Sequence, residues 1–301
     1  GPKLATVNPL RWEVGHAAYF YEYWVLRQHL GQPPIRADSD SLYDSITIAH
    51  DDRWDLPLPS LADTLAYIET VLQRVSACLA QGSDVERDYL AQYAVFHHDM
   101  HNEAYTYTRQ TLQYPAPEFA RAEHRILNAG GLAGDVQIPG GQFMLGASAQ
   151  DGFVFDNEKW AHPKTLEPFS IARAAVSNAD FLAFVEAGGY QERHYWSDAG
   201  WHWRESVGLQ QPVYWRKAAQ GWQIRQFDQW HPLALNAALI HVSWHEAQAY
   251  CRWAQRRLPT ELEWEVAAAG QPSADGKTLA SHKRYFPWRE QAPRADRSNL
   301  N

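Results

Sequence analysis

The feature that most limits the possible folds is a change in residue pattern partway along the chain. Before it, apolar residues recur at helical spacing in three long runs, Arg11–His29, Ser60–Gln81 and Val85–Leu112. Such spacing places apolar side chains on one stripe of a helix, which must be buried against a neighbouring helix. We therefore expect residues 1–127 to form a four-helix bundle, with a short helix in the Pro- and Asp-rich segment after the first run.

From about Ala133 the pattern changes to short apolar pieces separated by glycine pairs, as in VQIPGGQFMLGAS. These pieces are typical of short strands joined by tight turns. Helical spacing returns at Asn178–Ala187 and Ser243–Ala254, each next to a serine suited to cap a helix. We expect residues 128–301 to form an α+β domain with much irregular, Trp-rich structure, which makes the whole chain α+β.

Composition excludes several classes of partner and site. The 301 residues contain 27 Lys and Arg against 35 Asp and Glu, with no basic block, so neither nucleic acid nor an anionic membrane is expected to bind. No apolar run approaches the roughly 18 residues that span a bilayer. The N-terminal residues lack the apolar core of a signal peptide, and a cytoplasmic location is expected. Two cysteines, Cys78 and Cys251, are too few for an all-cysteine metal site.

The third helical run carries the first candidate site. His97 and His101 are four residues apart and therefore share one face of the predicted helix. Tyr93 and Met100 fall close to the same stripe, whereas Glu103 points away from it. Two histidines at this spacing can hold one metal ion from consecutive turns.

A third ligand must come from another part of the chain. His16 is the strongest candidate, because it lies early in the first run on a stripe rich in aromatic residues, including Tyr19. His50 and His98 are the competing candidates. Three neutral imidazoles leave a divalent metal with open positions, which suits zinc-activated water or iron-activated dioxygen, and the ligand type alone does not separate these metals.

These residues carry a resemblance to a known family. His97-x-x-x-His101-x-Glu103, together with the pattern GHxxYFxExWxLR around His16, resembles the DinB-like bundle of ergothioneine-biosynthesis sulfoxide synthases. In the second half, IPGGQFMLG and HVSWHEAQAYCRWAQRRLPTELEWEVAAAG resemble the formylglycine-generating-enzyme-like domain of the same family, which has a C-type-lectin-like fold. The two modules, in this order, cover nearly the whole chain.

The resemblance implies a function and a set of site residues. Enzymes of this family bind Fe(II) through three histidines and use dioxygen to join a sulfur donor to the imidazole of hercynine (trimethylhistidine). Carried over by motif, the iron ligands are His16, His97 and His101. Glu103 belongs to the motif but not to the metal-facing stripe, so a supporting role behind the ligands or in the fold is expected. The fixed cation of hercynine favours aromatic neighbours, for which Tyr93 and Tyr19 are the candidates.

Two departures from the family pattern favour a particular donor. The residue before the last helix histidine is commonly a glutamine that contacts hercynine, and here it is Met100. The segment SLYDSITIAHDDRWDLPLP has Arg53 as its only arginine, surrounded by acids that include Asp52. An acid-rich loop suits the hydroxyls of a sugar better than the carboxylates of a thiol peptide. The pattern VFHxDMHxEAxxYTRQTL resembles the selenoneine synthase branch, which joins hercynine to a selenosugar.

The sequence is also compatible with other functions. One is a sulfoxide synthase that joins hercynine to cysteine or γ-glutamylcysteine; others are a zinc-dependent DinB-like thiol transferase and a non-catalytic binding module. Formylglycine generation is disfavoured, because neither cysteine is placed like the copper-binding pair of that enzyme. Since the chain ends at DRSNLN, we expect the family's catalytic tyrosine and part of the hercynine pocket to lie in a segment that this sequence lacks, which leaves the catalytic residue unknown.

Overall fold

The computed structural model describes residues 2–118, 131–289, 291–294 and 297. Its residues divide into two compact units, Gly1–Pro117 and Glu118–Asn301, called here unit 1 and unit 2. The boundary expected between residues 127 and 128 lies outside the described residues. Among the described residues, no helix combines the length and the apolar character needed to cross a membrane.

Unit 1 is helical, as its periodicity predicts. The helices are α1 (Leu10–Tyr21), α2 (Ser39–Tyr43), α3 (Leu61–Leu79) and α4 (Val85–Thr111). A π-helical segment, Glu22–His29, continues α1, and a short 3₁₀ segment, His50–Trp54, precedes α3. The sequence predicts one regular helix from Arg11 to His29, so the change to π-helix is a correction.

Side chains at the helix starts explain where α3 and α4 begin. The Ser60 hydroxyl accepts a hydrogen bond from the Asp63 N–H and caps α3. The cap of α4 is Asp84, whose carboxylate accepts a hydrogen bond from the Arg87 N–H.

The core of unit 1 lies where α1 packs against α3 and α4. Its fully buried side chains include Trp12, Val25, Tyr43 and Val71. Glu22 is also fully buried and accepts hydrogen bonds from the Tyr67 hydroxyl and the backbone N–H of Ile35. Because burial of an unpaired carboxylate is strongly unfavourable, these two donors account for its presence in the core.

Unit 2 is α+β, with small antiparallel sheets among its described residues. Strands β1 (Asp135–Ile138) and β4 (Phe169–Ala172) form one pair, and β2 (Gly141–Leu145) and β3 (His162–Leu166) form another. A third, three-stranded sheet contains β5 (Trp215–Ala218), β6 (Gly221–Gln226) and β7 (Gln229–Pro232).

In the described part of unit 2, four helices accompany these sheets: α5 (Asn178–Glu186), α6 (Asp198–Val207), α7 (Trp244–Trp253) and α8 (Glu261–Ala269). The predicted capping serines Ser177 and Ser243 are confirmed, each in a reciprocal capping box. Helices α6 and α8 lie in segments for which the sequence predicts irregular structure, so these two helices are a correction. The main core of unit 2 contains the buried rings of Trp196 and Trp215, of which Trp215 makes an edge contact with Phe181 and Trp196 contacts Tyr190.

Candidate functional site

Helices α1 and α4 bring three histidines of unit 1 together. His16 on α1 and His97 and His101 on α4 each offer a ligand atom, and these atoms lie within 4.8 Å of one another. The Nε2 atoms of His97 and His101 are 3.2 Å apart, as their spacing on one helix face predicts. Among the described residues, these three histidines form the cluster whose ligand atoms lie close enough together to hold a metal ion.

His16 is held from two sides. Its ring stacks on Trp12, with centroids 4.5 Å apart and planes 10° apart, and its Nδ1 lies 2.7 Å from the carbonyl oxygen of Tyr43. Because a carbonyl only accepts, Nδ1 carries the proton and donates it, which leaves the Nε2 lone pair for the cluster. Burial lowers the pKa of His16 to about 4, so the ring is neutral at neutral pH.

His97 is fixed by packing instead of by a hydrogen bond. Its ring stacks on Phe20 with centroids 3.7 Å apart. Its Nδ1 is buried and finds no hydrogen-bond partner among the described residues. Burial, followed by the charges of His101 and His16, lowers the pKa of His97 to about 3. His97 therefore also presents a neutral imidazole with a lone pair free to bind.

His101 has a carboxylate behind it. Its Nδ1 donates to Oε2 of Glu13, which is 1% exposed, and the Asn8 amide donates to Oε1 of Glu13 at 2.7 Å. Burial alone raises the pKa of Glu13, but the contacts with His101, together with the hydrogen bond from Asn8 and the charge of His16, hold the pKa below its usual value. Sequence reasoning missed Glu13, although an acid three residues before His16 on the same helical stripe was a usable signal.

The donor set fits a divalent transition metal. Three imidazoles converge, two of them held neutral by burial, and the second nitrogens of His16 and His101 are engaged so that Nε2 faces the cluster. Imidazole suits both zinc and iron, and a ligand set of three leaves coordination positions open for other molecules.

The competing histidines lie outside the cluster. His98, half-buried, makes an edge contact with the Tyr21 ring at 5.9 Å between centroids. His50 lies in the 3₁₀ segment beside Asp51, with 3.4 Å between its Nδ1 and a carboxylate oxygen. The structure thus brings together the three histidines of the family motif and leaves out the two alternatives.

The sequence predicts that two residues of α4, Tyr93 and Met100, contact substrate. Tyr93 makes an edge contact with Phe20, the residue stacked on His97, with centroids 5.2 Å apart. Met100 precedes His101 and is 49% exposed, so its thioether is accessible. Glu103 is exposed, whereas Glu13 contacts the ligand His101, which is the supporting role that the sequence predicts for Glu103.

Arg53 of the acid-rich loop contacts a residue that packs against the histidine cluster. The Arg53 guanidinium lies 4.2 Å from the centre of the Trp12 ring, which in turn stacks on His16. Arg53 also donates to the Asn8 side-chain oxygen at 3.1 Å and to two backbone carbonyls of its own loop. Its neighbour Asp52 is exposed.

Tyr19 faces a different network. It is buried, and its hydroxyl donates to Asp40 at 2.9 Å, next to an ion pair between Asp40 and Arg27. Burial and the hydrogen bond with Asp40 raise the pKa of this hydroxyl. A contact between Tyr19 and substrate stays a prediction without support from this geometry.

Comparison with known proteins agrees with the two-unit architecture. Residues 2–113 match the DinB superfamily, and residues 124–301 match the sulfatase-modifying factor enzyme 1-like domain. The second half is also similar to the formylglycine-generating enzyme of Streptomyces coelicolor, at 35% identity over 185 residues, which cover 52% of this chain and 53% of that enzyme.

Nearly the whole chain is similar to hercynine oxygenases. The enzyme of Mycolicibacterium smegmatis is 32% identical over 298 residues, which are 98% of this chain and 67% of that enzyme. The enzyme of Mycolicibacterium thermoresistibile is 33% identical over 300 residues, or 98% of this chain and 65% of that enzyme. The chain thus spans about two thirds of the length of these relatives. It belongs to the ergothioneine-biosynthesis sulfoxide synthase-like family, in which a DinB-type helical domain precedes a sulfatase-modifying-factor-like domain.

Proposed function

We propose that this protein is a non-heme Fe(II), oxygen-dependent enzyme that joins hercynine to a selenosugar through a new C–Se bond. The observation that carries the proposal is the three-histidine cluster of His16, His97 and His101, found in a chain that aligns along nearly its whole length with hercynine oxygenases. In this proposal those three residues are the iron ligands, and a cytoplasmic location remains part of the prediction.

The protein's own residues would prepare the site in three ways. Burial holds His16 and His97 neutral, so their lone pairs are available at neutral pH. Tyr43 and Glu13 fix the rings of His16 and His101 with Nε2 toward the cluster. The stacked rings of Phe20 and Trp12 exclude water from the backs of His97 and His16. Bound iron would supply the open coordination positions and the redox chemistry that dioxygen requires.

The proposed reaction balances with dioxygen as the oxidant. It breaks the C–H bond of the hercynine imidazole and the Se–H bond of the donor, and it forms one C–Se bond. The two electrons and two protons released pass to dioxygen. Hercynine would lie beside His97, where Tyr93 presents an aromatic ring suited to the trimethylammonium group and Met100 is accessible.

Two features of the loop support a sugar as the donor. Arg53, the one arginine of the loop, donates from its two terminal nitrogens to Asn8 and to the backbone carbonyls of Ser45 and Ile48, and these contacts compete with any carboxylate of a donor. The exposed Asp52 beside it offers oxygen atoms that accept hydrogen bonds from sugar hydroxyls and repel the carboxylates of γ-glutamylcysteine.

The decisive experiment offers both donors to the same preparation. Protein purified without oxygen and loaded with Fe(II) is mixed with hercynine and either a selenosugar or γ-glutamylcysteine, then exposed to air and analysed by mass spectrometry. A hercynine–selenium adduct formed only with the sugar supports the proposal. A sulfoxide formed only with the thiol would assign the protein to the sulfoxide synthases instead.

The remaining alternatives predict other results in the same assay. A zinc-dependent thiol transferase would be active with zinc and without dioxygen, and a binding module would retain no stoichiometric metal. A formylglycine-generating activity is not supported, because Cys251 is buried with a raised thiol pKa and Cys78 lies on α3 in the other unit.

A further inference from the structure

The three histidines differ in what holds the nitrogen that faces away from the cluster. His101 Nδ1 contacts a carboxylate, His16 Nδ1 contacts a backbone carbonyl, and His97 Nδ1 has no partner among the described residues. A carboxylate is the strongest of these acceptors, because it carries a full negative charge. The three imidazoles are therefore unequal as electron donors.

We propose that Glu13 is the positioning residue of the metal site, which fixes the His101 ring and makes His101 the strongest of the three ligands. The inference rests on the proposed metal site and goes beyond it, because Glu13 lies outside the ligand set. Glu13 and His101 are 88 residues apart in sequence, so their contact also joins the start of α1 to the ligand-bearing turn of α4.

Burial makes this contact effective. Glu13 is 1% exposed, so water does not compete with His101 for its carboxylate. In such surroundings a charge-assisted hydrogen bond is stronger than at the surface. The His101 Nδ1–H donates to Oε2 of Glu13, which confines the lone pair of His101 to Nε2 and fixes the direction in which it points.

Further contacts hold Glu13 itself in place. Asn8 donates to its second oxygen at 2.7 Å, and Arg53 donates to the Asn8 side-chain oxygen at 3.1 Å. The same Arg53 lies over Trp12, the ring on which His16 stacks. One chain of contacts thus supports both His101 and His16 from the side of the acid-rich loop.

The test uses Co(II) as the probe, because its visible ligand-field bands report the ligands directly and need no turnover. The whole chain and its Glu13→Gln and Glu13→Ala variants are titrated with Co(II) under anaerobic conditions. We expect Glu13→Gln, which keeps an acceptor oxygen but loses the charge, to weaken binding about 10-fold. We expect Glu13→Ala to weaken it toward 100-fold, with shifted bands in both variants.

Glu69→Gln is the matched control, because Glu69 is an exposed carboxylate on α3 in the same unit, with a hydrogen bond from Gln73. It should bind Co(II) as the unmodified protein does. Urea unfolding of each metal-free variant separates a structural effect from a ligand effect, since a purely structural role changes stability but leaves the bands of folded protein unchanged.

The outcomes distinguish this inference from the proposed function. If the unmodified protein binds Co(II) and both Glu13 variants bind within twofold of it with unchanged bands, the role of Glu13 is wrong and the metal site stands. If Glu13→Ala does not fold, the Co(II) affinity and the ligand-field bands of Glu13→Gln alone test the role of Glu13, with the same twofold limit. If the unmodified protein binds neither Co(II) nor Fe(II), the metal site and this inference both fail.

Discussion

At the scale of single residues, the three histidines of α4 test the assignment of the metal ligands, because they share one helix but differ in the direction they face. His97 and His101 face the cluster, whereas His98 contacts Tyr21 outside it. We expect His97→Ala and His101→Ala each to abolish stoichiometric iron binding, because two imidazoles cannot replace a three-ligand site. His98→Ala should retain iron. Metal analysis after anaerobic Fe(II) loading measures the difference, and full iron content in His97→Ala or His101→Ala would disprove the ligand assignment.

Gly15 sets how closely α1 approaches Tyr43. A Cβ atom at Gly15 would lie 2.1 Å from the buried ring of Tyr43. The backbone carbonyl oxygen of the same Tyr43 accepts the hydrogen bond from His16 Nδ1. Helix propensity alone predicts that Gly15→Ala stabilises α1 by about 1 kcal/mol, but overpacking costs about 1–3 kcal/mol. We expect net destabilisation in urea unfolding, together with weaker Co(II) binding because Tyr43 must move. A gain in stability would show that the ring has room to shift.

At the scale of an element, the start of α8 depends on an ionised side chain. Glu263 accepts from the Thr260 backbone N–H and from Arg257, and the hydrogen bond with Arg257 is the main cause that lowers the Glu263 pKa to about 2. Because the folded-state pKa is depressed, the stabilisation is complete above the unfolded value near 4.5 and is lost as the pH falls toward 2.

We therefore expect Glu263→Gln to lower the free energy of unfolding at pH 7 by up to about 1 kcal/mol. The difference from the unmodified protein should shrink below pH 4 and vanish near pH 2. Urea titrations at several pH values measure it. Glu261→Gln, an exposed acid in the first turn of the same helix, is the control and should show a smaller pH-dependent loss. Equal effects of the two variants would indicate only a general helix-dipole effect.

At the scale of the whole molecule, every residue placed at the cluster belongs to unit 1. The three histidines, Glu13 and Tyr43 lie within Gly1–Pro117, which has its own buried core. We expect a fragment of residues 1–117 to fold and to bind Co(II) within about threefold of the whole chain. Circular dichroism and Co(II) titration test this, with His101→Ala in the fragment as the negative control. A folded fragment that binds more than tenfold more weakly would show that unit 2 contributes to the site.

Local patterns in the sequence account for much of the fold and part of the site. The run Val85–Leu112 predicts α4 nearly to its ends, and Ser177 and Ser243 predict two caps, because helix spacing and capping act over a few residues. The same reasoning failed at Glu22–His29, where the π-helical geometry accompanies a buried carboxylate paired with Tyr67, 45 residues away.

The sequence by itself determined that His97 and His101 share a face, since four residues are about one turn of any α-helix. Its motifs also determined the family and the order of its two domains. The motif around His16 implied that it completes the set, but only the tertiary structure shows that His16 lies at the cluster, that His50 and His98 lie outside it, and that Glu13 contacts His101. The physical reason is distance along the chain: these contacts require α1 to pack against α4, and the packing of two remote helices depends on the whole core.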